Sequence, residues 1–205
     1  MMAIMEPDAS GLFGALPEAD EAAIARLHAR LVAAAAGAGI LDVAYRTLDT
    51  PVGSLLLAAT EQGLIRVAYP GQGHDTALAQ LAEQVSPRIL HAPGRLDPVA
   101  RQLEEYFARS RTAFDLPVDL RLATGFRRRV LDHLPSIPYG STESYGQVAA
   151  AAGSSRAVRA VGTACAANPV PIVVPCHRVI RSDGTYGGYA GGADAKQALL
   201  HLEAA

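Results

Sequence analysis

Residues 144–167 read Ser-Tyr-Gly-Gln-Val-Ala-Ala-Ala-Ala-Gly-Ser-Ser-Arg-Ala-Val-Arg-Ala-Val-Gly-Thr-Ala-Cys-Ala-Ala. Ser144 opens a short helical run that Gly153 stops, because glycine takes the left-handed conformation that ends a helix without strain. Ser154 is expected to cap a second run that reaches Ala167. Helix, glycine-containing turn, helix is the shape of a helix-turn-helix, and equally of any helical hairpin. The second run is nearly bare: Ala157, Ala160, Gly162, Ala164, Ala166 and Ala167 leave Arg156 and Arg159 projecting. Such a surface either approaches a nucleic-acid backbone or groove floor, with an arginine at a phosphate or in the base stack, or packs tightly within the protein.

On the N-terminal side, Thr124 is placed to cap a helix in which Phe126, Val130 and Leu134 recur every four residues, and Pro135 and Pro138 end it. On the C-terminal side, residues 171–181 read Pro-Ile-Val-Val-Pro-Cys-His-Arg-Val-Ile-Arg. A thiol followed by an imidazole, held at the end of a β-branched run, is either an activated nucleophile or a buried cysteine that happens to precede a histidine.

The 205 residues suffice for one domain or two small ones, and half of them are apolar. The net charge of −2 gives no global sign of a polyanionic partner, but its distribution is uneven. Residues 1–120 sum to −6 and residues 121–205 to +4, which would confine any polyanion to the second half. Two cysteines, Cys165 and Cys176, and six scattered histidines make no zinc pattern. No basic segment precedes an apolar stretch and no uncharged run nears spanning length, so the expectation is a reduced, cytoplasmic protein without membrane contact.

Residues 1–38 read as an extension, flexible to about residue 17 and helical from Asp20 to about Ala36, with Ile24, Leu27 and Leu31 as a packing stripe. Residues 39–118 read as an α+β domain: three antiparallel strands at 43–48, 53–58 and 64–68, then helices near 75–83 and 98–108. The second of these helices carries Leu103, Tyr106 and Phe107 on one side. Residues 112–120 form an extended connector, and residues 119–205 the second domain.

Six ordered segments of that second domain resemble the O6-alkylguanine-DNA alkyltransferases, the methylated-DNA–protein-cysteine methyltransferases. They are Ile137-Pro-Tyr-Gly140, Ser144-Tyr-Gly146, Arg156-Ala-Val-Arg-Ala-Val-Gly162, Asn168-Pro169, Val174-Pro-Cys-His-Arg-Val179 and Gly188-Tyr-Ala-Gly-Gly192. The resemblance implies an α+β fold: a small N-terminal antiparallel-sheet domain followed by a winged helix-turn-helix domain that carries the acceptor cysteine. It implies direct, irreversible, stoichiometric transfer of the alkyl group from O6-alkylguanine, and from O4-alkylthymine, to Cys176. The protein is then consumed in one turnover, without cofactor or metal.

The residue roles follow from the same resemblance. His177 takes the thiol proton through a water, and Glu203 orients and charges the imidazole. Tyr145 donates to a ring nitrogen of the departing base, and Asn168 joins the recognition helix to the cysteine segment. Arg159 fills the space left when the nucleotide flips out of double-stranded DNA. Arg156, Ala157, Ala160 and Ala166 meet the minor groove, while Pro171, Val179, Tyr189, Ala190 and Gly191 enclose the flipped base. The protein is expected to act as a monomer, with cooperative binding along DNA left open.

Departures from the family pattern are Arg127, Leu131, Ala190 and the Cys165-Ala-Ala167 run, which alter packing and DNA contacts and leave the chemistry intact. Arg178 and Arg181 read as phosphate contacts or solvated charges. Two other classes fit parts of the sequence. A lesion sensor that binds without reacting would lack Cys176, and a cysteine hydrolase would release its product into solution.

Overall fold

The structure is a computed structural model that describes residues 20–204. The segment expected to be flexible, residues 1–17, lies outside the described residues. The first helix, α1, spans Glu21–Gly37, with Asp20 Oδ1 accepting from the amide of Ala22 at 3.0 Å. Its expected packing stripe is corrected by the structure: Ile24, Leu27 and Leu31 are 53%, 61% and 52% exposed. The face that meets the body runs one position later, through His28, Val32 and Ala35. In so alanine-rich a helix several faces are apolar, and the face with the smaller side chains allows the closer approach.

Three β-leaning runs form strands β1 (Val43–Thr50), β2 (Gly53–Thr60) and β3 (Gly63–Ala68), paired antiparallel in sequence. A fourth strand, β4 (Ile89–His91), pairs parallel to β1, giving the order β3-β2-β1-β4. The expected three-stranded antiparallel sheet is therefore a four-stranded mixed one. Three residues between Pro87 and Pro93 are too few for alternation to register.

Helix α2 (His74–Gln84) packs Ala77 and Leu81 on one sheet face, and α3 (Asp97–Phe107) packs Val99, Leu103 and Tyr106 on the other. The Leu55-Leu56-Leu57 run of β2 is buried on both sides, each side chain contributing about 1.5–3 kcal/mol. The connector at residues 112–120 lies along edge strand β3, with Leu64 N donating to Pro117 O and Asp119 N to Leu64 O, both at 2.9 Å. Farther along β3, Val67 N donates to Pro169 O at 2.8 Å, so the second half of the chain covers the rest of this edge.

That second half is built on α4 (Gly125–His133), α5 (Tyr145–Ala151) and α6 (Val158–Ala166), packed through Val130, Leu131, Val148, Ala149, Val161 and Ala164. Thr124 occupies the cap position of α4, but its side chain makes no capping bond. Ser144 does cap α5: its Oγ accepts from Gln147 N at 3.2 Å, and Gln147 Oε1 accepts from Ser144 N at 2.7 Å. Gly153, at φ +83°, closes the turn as expected.

The predicted start of α6 is corrected. Ser154 and Ser155 belong to the turn, and the helix begins at Val158 after Ala157, with no side-chain cap. Serine's own turn-forming tendency outweighs its capping tendency here. Two-residue strands β5 (Glu143–Ser144) and β6 (Val179–Ile180) pair in parallel and bring the start of α5 beside the Cys176 segment. The chain ends in α7 (Gly192–Glu203). Among the described residues no helix is long and apolar enough to cross a membrane.

Candidate active site

Cys176 and His177 open a 3₁₀ turn, Cys176–Arg178, whose three residues are all buried. The turn ahead of it is tight, with Val174 N donating to Val170 O at 2.9 Å, and it holds Ile172 at φ +76°. A β-branched residue in that region costs about 1–3 kcal/mol and persists only where its surroundings enforce it. Asn168 supplies part of the enforcement. Its Oδ1 accepts from Val170 N at 3.0 Å, and its Nδ2 donates to Val174 O at 2.8 Å and to Cys176 Sγ at 3.2 Å. Asn168 thus both ties the turn and touches the thiol.

Cys176 is 2% exposed, and burial pushes its thiol up to about 11 against the Asn168 hydrogen bond and the positive charge of Lys196. At neutral pH the resting group is the thiol. Cys165 is also a free, buried thiol, pushed up to about 12 by burial.

Behind the thiol lies a closed ionic network. Glu203, only 4% exposed although it ends α7, accepts from His177 Nε2 and Arg178 Nε at 2.8 Å each, from Arg178 Nη2 at 2.9 Å and from Tyr106 Oη at 2.7 Å. Burial alone would raise this carboxyl, but the His177 and Arg178 hydrogen bonds outweigh it and hold it at about 2. A carboxylate can only accept, so His177 carries its proton on Nε2 and leaves Nδ1 basic. Nδ1 is buried and has no partner among the described residues. Burial holds the imidazole below its usual range, against the Glu203 bond, so the resting ring is neutral.

The Ile137-Pro-Tyr-Gly140 motif has a structural meaning at this network. Ile137 O accepts from Arg178 Nη1 at 2.6 Å, Tyr139 Oη donates to Leu202 O at 3.0 Å, and Gly140 N lies 3.4 Å from Glu203 Oε2. Gly140, at φ +74°, comes so close that a Cβ would lie 2.9 Å from Glu203 O. This cradle holds the end of α7 and keeps Glu203 from fraying.

Tyr145 is half-buried at the start of α5, and its hydroxyl lies where a Cβ on Gly187 would be, 2.0 Å away. Burial raises its phenol, as do the nearby cysteine sulfurs when charged, so the hydroxyl stays a donor. Arg156, Arg159, Ala160 and Ala166 are exposed and Ala157 partly so, and together they leave the outer face of α6 uncovered. Pro171 and Val179 are fully enclosed, while Tyr189, Ala190 and Gly191 are half-buried.

The structure thus brings Cys176, Asn168, His177 and Glu203 into one buried cluster, with Tyr145 at its margin and the α6 arginines outside it. It corrects the reading of Arg178, which is 6% exposed and spent on Glu203 and Ile137, and so is no phosphate contact. Arg181 remains exposed, bonded to Thr185 Oγ1 at 3.2 Å.

Sequence reasoning missed Tyr106, assigned only to packing, and Lys196, whose Nζ donates to Val179 O at 2.6 Å from a fully buried position. Each left a signal. A buried tyrosine needs a partner for its hydroxyl, and Lys196 interrupts the apolar face formed by Ala195 and Leu199.

Two family profiles match the chain. The profile described as 6-O-methylguanine DNA methyltransferase, ribonuclease-like domain, covers residues 43–120, and that described as 6-O-methylguanine DNA methyltransferase, DNA binding domain, covers residues 125–205. A methylated-DNA–protein-cysteine methyltransferase of Mycobacterium tuberculosis is 43% identical over 162 residues, spanning 78% of this chain and 91% of the relative. One of Methanosarcina barkeri is 38% identical, spanning 78% and 96%. The crystal structure of Mycobacterium tuberculosis OGT in complex with DNA superposes with a TM-score of 0.69 at 42% identity, covering 78% of this chain and 92% of that one.

Proposed function

This chain belongs to the 6-O-methylguanine DNA methyltransferase family, and we propose that Cys176 is the alkyl acceptor of its reaction and α6 its groove-binding helix. The protein repairs DNA by direct alkyl transfer, as a methylated-DNA–protein-cysteine methyltransferase used once, and DNA is its partner. The observation that carries the residue assignment is the buried relay itself: a thiol on Asn168, and an imidazole whose Nε2 is committed to a carboxylate while Nδ1 is left basic.

In the reaction the Cys176 sulfur attacks the alkyl carbon in line and the carbon–O6 bond breaks. The thiol proton passes through a bridging water to His177 Nδ1, and Glu203 stabilises the imidazolium that forms. Charge develops on the departing guanine, where a Tyr145 hydroxyl donating to a ring nitrogen stabilises it. The product is a thioether on Cys176, and no water step regenerates the thiol. A duplex carrying a labelled methyl group should leave the label on protein; label released into solution would indicate a hydrolase.

A thiol this deeply buried cannot meet a base inside an intact stack, so the alkylated nucleotide flips out, at a cost of about a few kcal/mol. The exposed Arg159 and the small residues Ala157, Ala160 and Ala166 suit a minor-groove approach, with Arg159 entering the vacated space. Pro171, Val179, Tyr189, Ala190 and Gly191 bound the pocket that receives the base. The cluster is completed within one chain, which suits action as a monomer. Arg159→Ala should slow transfer from duplex DNA by about tenfold or more, the loss of one stacking contact, and leave transfer from free O6-methylguanine base within about twofold. Equal slowing on both substrates in single-turnover assays would remove Arg159 from the flipping step.

A further inference from the structure

The N-terminal sheet reaches the acceptor site through a residue that the reaction scheme does not use. Tyr69 follows β3 directly and is 2% exposed. Its backbone is fixed on both sides, since Gln72 N donates to Tyr69 O at 3.0 Å and Tyr69 N to Gln72 Oε1 at 3.0 Å. Its hydroxyl shares a hydrogen bond of 3.0 Å with the hydroxyl of Tyr189. The two rings meet edge to face at 5.7 Å, and the Tyr189 ring meets the His177 imidazole in the same manner at 6.3 Å.

The Tyr69 ring also lies against the backbone of Gly191, so close that a Cβ there would be 2.6 Å from Cε1 and 2.7 Å from Cζ. Glycine is therefore required at position 191 because of a side chain from the other half of the chain. Burial raises the Tyr69 phenol against its bond to Tyr189, and negative charge on Cys176 adds to the rise, so the hydroxyl stays protonated. Two positions earlier, Val67 N holds Pro169 O at 2.8 Å, beside the Asn168 turn.

We infer that Tyr69 is a specificity-determining residue of the acceptor site, holding the Tyr189–Gly191 loop against His177 and so limiting the size of the alkyl group that reaches Cys176. The inference rests on Cys176 being the acceptor. A ring packed on Gly191 and a hydroxyl tied to Tyr189 fix the loop to the N-terminal half at two points, and a bulky adduct needs the loop to give where a methyl group does not. Loss of one such contact typically shifts discrimination by about 10–200-fold.

The test compares single-turnover transfer from O6-methylguanine and O6-benzylguanine, each in the same duplex, for the full-length protein, Tyr69→Phe and Tyr69→Leu. In Tyr69→Leu, which loses both ring and hydroxyl, the ratio of benzyl to methyl rate should rise by about tenfold or more. In Tyr69→Phe, which keeps the ring on Gly191 and loses only the hydrogen bond to Tyr189, it should rise by about threefold. Thermal melting reports whether each variant is folded, and Tyr69→Phe alone decides if Tyr69→Leu is not. A ratio unchanged within experimental error in every folded variant, or methyl and benzyl rates falling by one common factor, would overturn the inference. Failure of the unaltered protein to gain a methyl group on Cys176 would instead sink the acceptor assignment.

Discussion

Cys176→Ala abolishes alkyl transfer and leaves affinity for a lesion-bearing duplex within about threefold, because the α6 face shares no side chain with the thiol cluster. Nothing else in the site can replace the sulfur. Cys165 is as deeply buried a thiol as Cys176, but the Asn168 hydrogen bond and the adjoining His177 base serve Cys176. The folding cost should be small, about 1 kcal/mol for one buried sulfur, since Asn168 Nδ2 keeps its bond to Val174 O. The checks are a labelled-methyl assay and fluorescence anisotropy on the same preparation. Residual labelling of the variant would mean that another residue accepts the group.

Glu203→Gln should be almost as damaging, for two separable reasons. A glutamine can present its amide N–H to His177 Nε2, which favours the tautomer with the proton on Nδ1 and removes the base. Single-turnover transfer should then fall by about 10²–10⁴-fold at a temperature where the variant is folded. The substitution also leaves the Arg178 guanidinium buried without its counter-charge, which typically costs about 3–5 kcal/mol. Glu203→Asp, which keeps the charge, should recover part of the stability and less of the rate.

The same carboxylate makes stability depend on pH in a direction the shifts fix. Glu203 is held at about 2 when folded against about 4.3 in an unfolded chain, so its contribution is complete above about pH 4.3 and is lost as pH falls towards 2. His177, held below its usual range, adds a loss that begins as pH falls below about 6.5, where the unfolded imidazole binds a proton first. Cys176 acts oppositely: its raised thiol favours the fold below about pH 8.5, and that advantage disappears as pH rises towards 11. Urea titrations across pH 2–7 should give Glu203→Gln a shallower acid limb. An identical limb would mean that the carboxylate is not the buried anion described here.

What could be read from the sequence depended on whether a feature was local. The helix-turn-helix pair was legible because Ser144, Gly153 and the alanine run carry capping, turn and packing signals within twenty-five residues. The family resemblance also named the residues that form the buried cluster. Features that depend on distant contacts were not legible. β4 is too short to alternate and exists because β1 offers an edge. The α1 stripe was misplaced because alanine makes several faces equally apolar. Arg178 looked like a solvent charge until the end of α7, 25 residues away, put a carboxylate beside it. Tyr106 and Tyr69 reach the site from 97 and 120 residues away, through partners no local pattern announces.

The most direct test of the account is the intact mass of the protein after incubation with a duplex bearing one O6-methylguanine, followed by mapping of the modified peptide. The expected result is a stoichiometric gain of one CH₂, the net change when S–H becomes S–CH₃, located on the peptide that holds Cys176 and absent from Cys176→Ala. An unchanged mass with the duplex still bound, or a methyl group mapped to any other residue, would contradict it.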